Sequence, residues 1–397
     1  MTGKQNAPEI RFEGFTDPWE QRKLGSIAAS FDYGLNAAAT EYDGQNKYLR
    51  ITDIDDATHE FLKSDLTTPL ADLAMSADYL LEEGDLLFAR TGASVGKTYL
   101  YRQYDGTVYF AGFLIRARIG ESADPEFVYQ ATLTDAYKKY VAITSQRSGQ
   151  PGVNAQEYAD YQLMLPSRTE QQQIGMALRS LDNLITLHQR KHDKLCTVKK
   201  SMLDKMFPKP GETEPEIRFE GFTDPWEQRK FSDMYVVNNE RNANCELGYD
   251  RTLSIATMTF NGGNGAADDS LSNYKVIRIG DIAFEGHTNK VHAYGRFVLN
   301  DAGDGLMSPR FSCLRPIVEQ RYSFWKYYIP REESMRPILV NATKSGTMMN
   351  ELVPDDLMRE SILVPCLAEQ EVIGNSLSQL DHLITLHQRE PRFADTG

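Results

Sequence analysis

The chain has 397 residues, enough at roughly 100 to 200 residues per domain for two or three domains with cores of their own. Apolar residues make up 41% and charged residues 25%, and no run approaches the roughly 18 apolar residues of a membrane span, which excludes a helical membrane protein. Forty-three Lys plus Arg against 56 Asp plus Glu give a net charge of -13, which repels phosphate at long range and argues against a sequence-indifferent nucleic-acid coat, while leaving room for local basic patches.

Taken in chain order, the opening MTGKQNAPEIRFEGF holds no apolar core of signal-peptide length, and Cys196, Cys245, Cys313 and Cys366 show no paired spacing. A reducing, cytoplasmic setting without disulfides or a zinc knuckle is expected. PEIRFEGFTDPWEQRK at residues 8–23 recurs letter for letter at 215–230. EQQQIGMALRSLDNLITLHQR at 170–190 likewise answers EQEVIGNSLSQLDHLITLHQR at 369–389, identical at 14 of 21 positions. The chain is therefore built twice over, each half an opening segment, a variable body and an EQ-initiated helix.

In the first body, residues 24–169, DLLFAR, KTYLY, TVYF and FLIRARI are short β-prone runs, and PEFVYQATLTDAYKKYVAI reads as one helix opened by Pro125. TGASVGKT at 91–98 falls one residue short of a phosphate loop between Gly92 and Gly96, so a Gly-rich turn is expected there and nucleotide hydrolysis is not. The turn offers Arg90, Thr91, Ser94, Lys97, Thr98 and Tyr99 for phosphate and base contacts. ITSQRSGQPGVN at 143–154 gathers Gln146, Arg147, Ser148, Gln150 and Asn154 on a Gly/Pro loop. Arg, Gln and Asn read guanine and adenine edges by paired hydrogen bonds in the major groove. An ordinary polar loop has the same composition.

From Gln173 the periodic positions step by four and three through Ile174, Leu178, Leu181, Ile185, His188, His192, Leu195, Lys199, Met202 and Met206. That is a heptad seam with polar interruptions. A helix over 170–206, roughly 55 Å long, is expected to end at Pro208, Lys209, Pro210 and Gly211 and to hold two modules apart. Its second half carries Arg190, Lys191, Lys194, Lys199, Lys200, Lys205 and Lys209, either a solvated face or a docking surface. His188 and His192 have the spacing of zinc ligands but lack a third, so no metal site is expected.

In the second body, residues 231–368, TLSIATM, KVIRIG, RFVLN and FSCLRPI are strand-like and RYSFWKYYI is a short helix candidate. Gly280-Asp281 before DIAFEG answers Gly84-Asp85 before DLLFAR, and Pro365 answers Pro166. EGHTNKVHA puts His287, Asn289 and Lys290, with Arg296 beyond, where the first body has its turn. ATKSGTMMN at 342–350 offers Lys344, Ser345, Thr347 and Asn350 as the second polar loop. Strands do not alternate cleanly with helices, so an α+β body is expected. The distal helix repeats the seam at Ile373, Leu377, Leu380, Ile384 and His387, and the two stripes are expected to bury one another as a helix pair.

No nucleophile elbow, paired-carboxylate arrangement, dinucleotide fingerprint or Asn-Pro-Pro-aromatic tetrapeptide is present, so the chain reads as a binder. The repeated PEIRFEGFTDPWEQRK, the Pro166/Glu170/Gln171/Ile174 and Pro365/Glu369/Gln370/Ile373 module ends, and LDNLITLHQRK together resemble the specificity subunit of type I restriction-modification systems. The resemblance implies a first target recognition domain at 1–169, a central spacer helix at 170–207, a linker at 208–214, a second target recognition domain at 215–368, a distal helix at 369–390 and a tail at 391–397. It implies that each recognition domain reads one half of a split site on double-stranded DNA, and that the helices form an antiparallel coiled-coil-like pair, with pseudo-twofold symmetry, that sets the gap. Two modification (adenine methyltransferase) subunits would dock there and use S-adenosylmethionine, and restriction (translocase/endonuclease) subunits would use ATP and Mg; this chain would hold no cofactor. One departure stands out. After Arg389 the sequence turns into EPRFADTG, so Pro391 is expected to stop the distal helix before any basic second half. The competing reading is a non-catalytic scaffold whose tandem modules bind proteins across a helical spacer.

Overall fold

A computed structural model describes residues 8–146, 149–262, 268–347 and 349–388. The chain divides into two compact units, Met1–Leu187 and His188–Gly397, each mixed α and β.

In the first unit the opening repeat is fixed to the body and to the helix. Glu20–Lys23 pairs antiparallel with Gln162–Leu165. Arg11 forks onto the Glu170 carboxylate through Nε and Nη2 at 2.8 and 2.7 Å, and the Trp19 indole N–H donates to it at 3.4 Å. Glu170 is 1% exposed, so this buried charge is compensated by a bidentate pair. Gln171 donates to the Pro166 carbonyl at 2.9 Å and accepts from the Asp124 amide at 2.8 Å. The second unit repeats these parts. Glu227–Lys230 pairs with Ser361–Val364, Arg218 forks onto Glu369 at 2.9 and 2.8 Å, and Gln370 donates to the Pro365 carbonyl at 3.0 Å while accepting from the Arg321 amide at 3.1 Å.

Each body rests on a four-stranded antiparallel sheet with the same strand order. In the first the order is Ala28–Tyr33, Leu114–Ile119, Asp85–Ala89, Thr98–Leu100; in the second it is Tyr235–Val237, Ser312–Pro316, Ile282–Glu285, Arg296–Leu299. Leu86 and Phe88 enter one core with Phe127 and Tyr158, while Leu87 and Ala89 enter another with Tyr99 and Phe110. A strand buried on both faces needs a continuous apolar run, which DLLFA supplies. Ile282 and Phe284 join Phe324 and Trp325, and Ala283 joins Met307 and Cys313, in the same alternation.

The Gly-Asp landmarks open these strands. Gly84 and Gly280 sit at φ +89° and +88°, where a Cβ is penalised. Asp85 accepts from the Glu82 amide and Asp281 from the Arg278 amide, both at 2.9 Å. Arg116 and Arg118 stand 3.6 and 3.4 Å from Asp85, and Arg315 forks onto Asp281 at 3.0 and 2.9 Å. Burial still pushes the Asp85 carboxyl above its ordinary value.

Three expectations change. The helix from Pro125 is two, Pro125–Thr132 and Asp135–Thr144, because Thr134 caps the second by accepting from the Tyr137 amide. TLSIATM keeps only Leu253–Ser254 as strand, paired with Thr259–Phe260. The third concerns the seams. The central helix runs Arg168–Lys205, 38 residues, and the distal helix Leu367–Gln388, 22 residues. Within the second unit they run antiparallel: the His188 and His387 Nδ1 atoms are 3.0 Å apart, Lys199 pairs with Asp381, and Met206 and Phe207 share a core with Ile373 and Leu377. The distal stripe is thus covered by the short helix Tyr322–Tyr328, whose Phe324 and Trp325 share its core, together with Met206 and Phe207 at the end of the central helix. An antiparallel pair meeting at His188 and His387 sets Ile373–Ile384 beside residues C-terminal of His188. Among the described residues, no helix is long and apolar enough to cross a membrane.

Candidate nucleic-acid interface

In the first unit the turn after Asp85–Ala89 and the polar loop near residue 150 are joined through their backbones. The Val153 amide donates to the Arg90 carbonyl at 2.9 Å and the Gly92 amide to the Pro151 carbonyl at 3.1 Å, and Thr91 bridges Gly152. With backbone groups paired internally, specificity is left to the side chains. Arg90, Thr91 and Ser94 are part-exposed and Gln146 and Gln150 exposed. A Cβ on Gly92 would stand 3.1 Å from the Gln150 amide nitrogen, so that side chain lies against the turn. Arg147 and Ser148 fall outside the described residues.

Tyr33 belongs to this cluster and the sequence reading missed it. The Arg90 guanidinium is 5.0 Å from the Tyr33 ring centroid, the Ala155 amide donates to the Tyr33 hydroxyl at 3.3 Å, and Tyr33 is 45% exposed. A guanidinium on an exposed aromatic face presents a flat, cationic surface suited to bases and phosphates. Its only signal was an aromatic at a strand end, which a core residue gives equally well. Asn154 caps the helix Ala155–Ala159, accepting from the Glu157 amide at 2.9 Å while its own amide donates to the Glu157 carboxylate at 2.9 Å.

Three first-unit assignments are corrected. Tyr99 is 3% exposed and its hydroxyl donates to Asp105 at 2.6 Å, so it is a core residue, and burial pushes its phenol far above the ordinary range. Lys97 donates to the Ile54 carbonyl at 3.1 Å and pairs with Asp56, which anchors the neighbouring loop instead of leaving a cation for phosphate. Thr98, beside them, is buried and hydrogen-bonded to Thr132 at 2.8 Å.

The second unit makes the equivalent junction with different side chains. The Asn350 amide donates to the Gly286 carbonyl at 2.9 Å, and a Cβ on Gly286 would lie 1.9 Å from the Asn350 carbonyl oxygen, so only glycine admits this approach. The Asn350 side chain also donates to the Ala293 carbonyl at 3.3 Å. His287 is exposed and 3.0 Å from the Glu285 carboxylate. Asn289 shapes the turn, its Oδ1 accepting from the Val291 and His292 amides at 2.8 and 2.9 Å. Lys290, Ser345 and Thr347 are exposed. Lys344 pairs with Glu351 at 3.2 Å, a surface pair weak enough to be exchanged for a phosphate. Arg296 is corrected: Glu285 and the Ala256 carbonyl hold it at 3.0 and 2.7 Å, which makes it a strut of the sheet.

Among the described residues, no group of three or more His, Cys, Asp or Glu is arranged to hold a metal ion. Each body pairs a turn at the end of an inner sheet strand with a polar loop.

Residues 16–196 match the family model described as the type I restriction modification DNA specificity domain. Over 98% of this chain and 92% of the relative, the sequence is 21% identical to the type I restriction enzyme MjaVIII specificity subunit of Methanocaldococcus jannaschii. Among solved structures, the fold is similar to the type I restriction-modification S subunit from M. genitalium, with a TM-score of 0.57 at 12% identity over 96% of this chain and 93% of that one. The HsdS subunit from Thermoanaerobacter tengcongensis aligns over 97% of this chain and 94% of that one at 16% identity, with a TM-score of 0.45.

Proposed function

We propose that the chain is a specificity subunit of a type I restriction-modification system, a non-catalytic chain for DNA recognition, and that its two bodies read the two halves of a split double-stranded DNA site. The observation that carries this reading is the junction made twice: Arg90 with Val153 and Gly286 with Asn350, on sheets of one strand order, with different side chains around each. A common frame that displays different chemistry is what two independent readers of unlike half-sites require.

In this reading Arg90, Thr91, Ser94, Gln146, Gln150 and Tyr33 face one half-site, with Arg147 and Ser148 from the same loop. His287, Asn289, Lys290, Lys344, Ser345 and Thr347 face the other. The central and distal helices act as an antiparallel, coiled-coil-like spacer with pseudo-twofold symmetry, and their outer faces dock two modification subunits. Those partners supply methyl transfer with S-adenosylmethionine, and restriction subunits supply ATP- and Mg-dependent translocation and cleavage, in the cytoplasm. Partner subunits also offset the chain's net charge of -13, which alone opposes approach to DNA.

The test is an exchange of residues 24–169 for the body of a relative, followed by mapping of methylated adenines in cells that carry the partners. One half of the recognised sequence is expected to change while the other half stays. A change in both halves would show that the bodies do not read independently.

A further inference from the structure

We propose that Arg310 is a base-reading residue of the second body, taking a guanine edge in the second half-site from the place that Phe113 holds in the first. The inference rests on the reading that each body recognises one half-site, and it names a contact for the second. It follows from the register of the two sheets.

The junctions fix one equivalence: the Arg90 and Gly286 carbonyls each accept an amide of the polar loop, from Val153 and Asn350, at 2.9 Å. Ala89 and Glu285, one residue earlier, are then counterparts as well. Ala89 pairs with Leu114, and Phe284 pairs with Ser312, which sets Phe311 opposite Glu285 as the counterpart of Leu114. The turns ahead of these residues agree. The Leu114 amide donates to the Ala111 carbonyl at 2.8 Å and the Phe311 amide to the Ser308 carbonyl at 3.2 Å. Leu114 packs into the core that holds Leu87, and Phe311 against the core that holds Ala283. Phe113 and Arg310 are therefore one position, third in the turn and, by alternation, on the face away from that core.

This position lies beside the junction in both bodies. The Arg90 amide donates to the Phe113 carbonyl at 3.0 Å, so the two residues are neighbours across the ladder. The first body thus has its arginine at the strand end and an aromatic on the turn. The second has at the strand end a glycine that the approach of Asn350 requires, and its arginine is on the turn. Phe113 is 59% exposed. Arg310 is exposed and, among the described residues, has no hydrogen-bond or ion-pair partner. The arginines of the sheet itself are held: Arg296 by Glu285 and the Ala256 carbonyl, Arg315 by Asp281 and Glu240. An unpaired guanidinium offers the donor fork that matches guanine O6 and N7 in the major groove.

The experiment uses the full chain assembled with its modification subunits and duplexes carrying the site obtained by random-sequence selection, each base pair changed in turn, with binding read by anisotropy. The wild-type chain is expected to favour a G·C pair at one position of the second block. Arg310→Ala should reduce discrimination at that position at least tenfold, within the range of a lost bidentate contact, and leave the first block as it was. Arg310→Lys should not restore it, because an ammonium lacks the fork. Arg359→Ala, which removes an exposed charge elsewhere in the second unit, should leave the profile unchanged. Uniform weakening on every duplex would make Arg310 a phosphate contact and overturn the proposal, as would an unchanged profile or a second block without a G·C pair. A wild-type profile with a single block overturns the two-half-site reading and the proposal with it, a failure visible before any variant is made.

Discussion

Arg11 and Glu170 lie 159 residues apart and meet in a two-point ion pair at 2.8 and 2.7 Å, and Arg218 and Glu369 make the same pair in the second unit. The letter-for-letter repeat of the opening segment becomes intelligible through it. The segment fixes a body to the start of a helix, so its partners must match whatever the body recognises.

Removing one partner of such a pair leaves the Glu170 carboxylate without its compensating charge. Arg11→Ala is therefore expected to lower the opening free energy of the Glu20–Lys23 and Gln162–Leu165 ladder. Adding Glu170→Gln should recover part of the loss. Native-state hydrogen exchange of the ladder amides measures both, and equal protection in all three proteins would dismiss the pair as incidental.

Cysteine chemistry checks the second core. Burial pushes the Cys313 thiol up to about 12, with Asp281 adding to the shift, whereas Cys245 and Cys366 are exposed. Thiolates are the reactive species. At pH 8 iodoacetamide is expected to label Cys245 and Cys366 in the folded chain and Cys313 only after unfolding; rapid labelling of Cys313 in the native chain would contradict the packing described.

The interface residues divide by half-site. Arg90→Ala or Tyr33→Ala should weaken binding of the assembled complex and relax base preference in one half-site, at about 1–3 kcal/mol for a lost bidentate base contact. His287→Ala and Lys290→Ala should act on the other half. Tyr99→Phe should leave base preference unchanged, since Tyr99 is interior. Binding to duplexes altered in one half at a time distinguishes these outcomes.

The spacer reading can be tested by length. Inserting one heptad in the central helix near Arg179 leaves the residues that pack on the distal helix untouched and adds roughly 10 Å. At roughly 3.4 Å per base pair, the preferred gap should lengthen by about 3 base pairs. Seven residues keep the stripe in phase, whereas two would rotate it away. An unchanged gap in a folded, assembled variant would assign spacing to the modification subunits.

What could be read from the sequence was what is stated twice. The opening segments, the Gly-Asp turns and the Glu-Gln helix starts each appear in two copies, and each proved to be a specific set of hydrogen bonds around Glu170 and Glu369 or Asp85 and Asp281. Side-chain direction was harder. Thr98–Leu100 is buried on both faces, so alternation could not reveal that Tyr99 points inward, while Tyr33 closes a half-exposed strand and points out. The helix seam showed which residues share a face, but heptad phase does not fix which stretch of a partner lies opposite. The antiparallel contact at His188 and His387 does.

The central claim is that one chain reads two separated half-sites, and the measurement closest to it is selection from random-sequence duplexes by the chain assembled with its modification subunits. Two short base-specific blocks separated by a fixed stretch without preference are expected, with Arg90→Ala degrading one block and His287→Ala with Lys290→Ala the other. A single continuous block, or one block degraded by both sets of substitutions, would contradict the account.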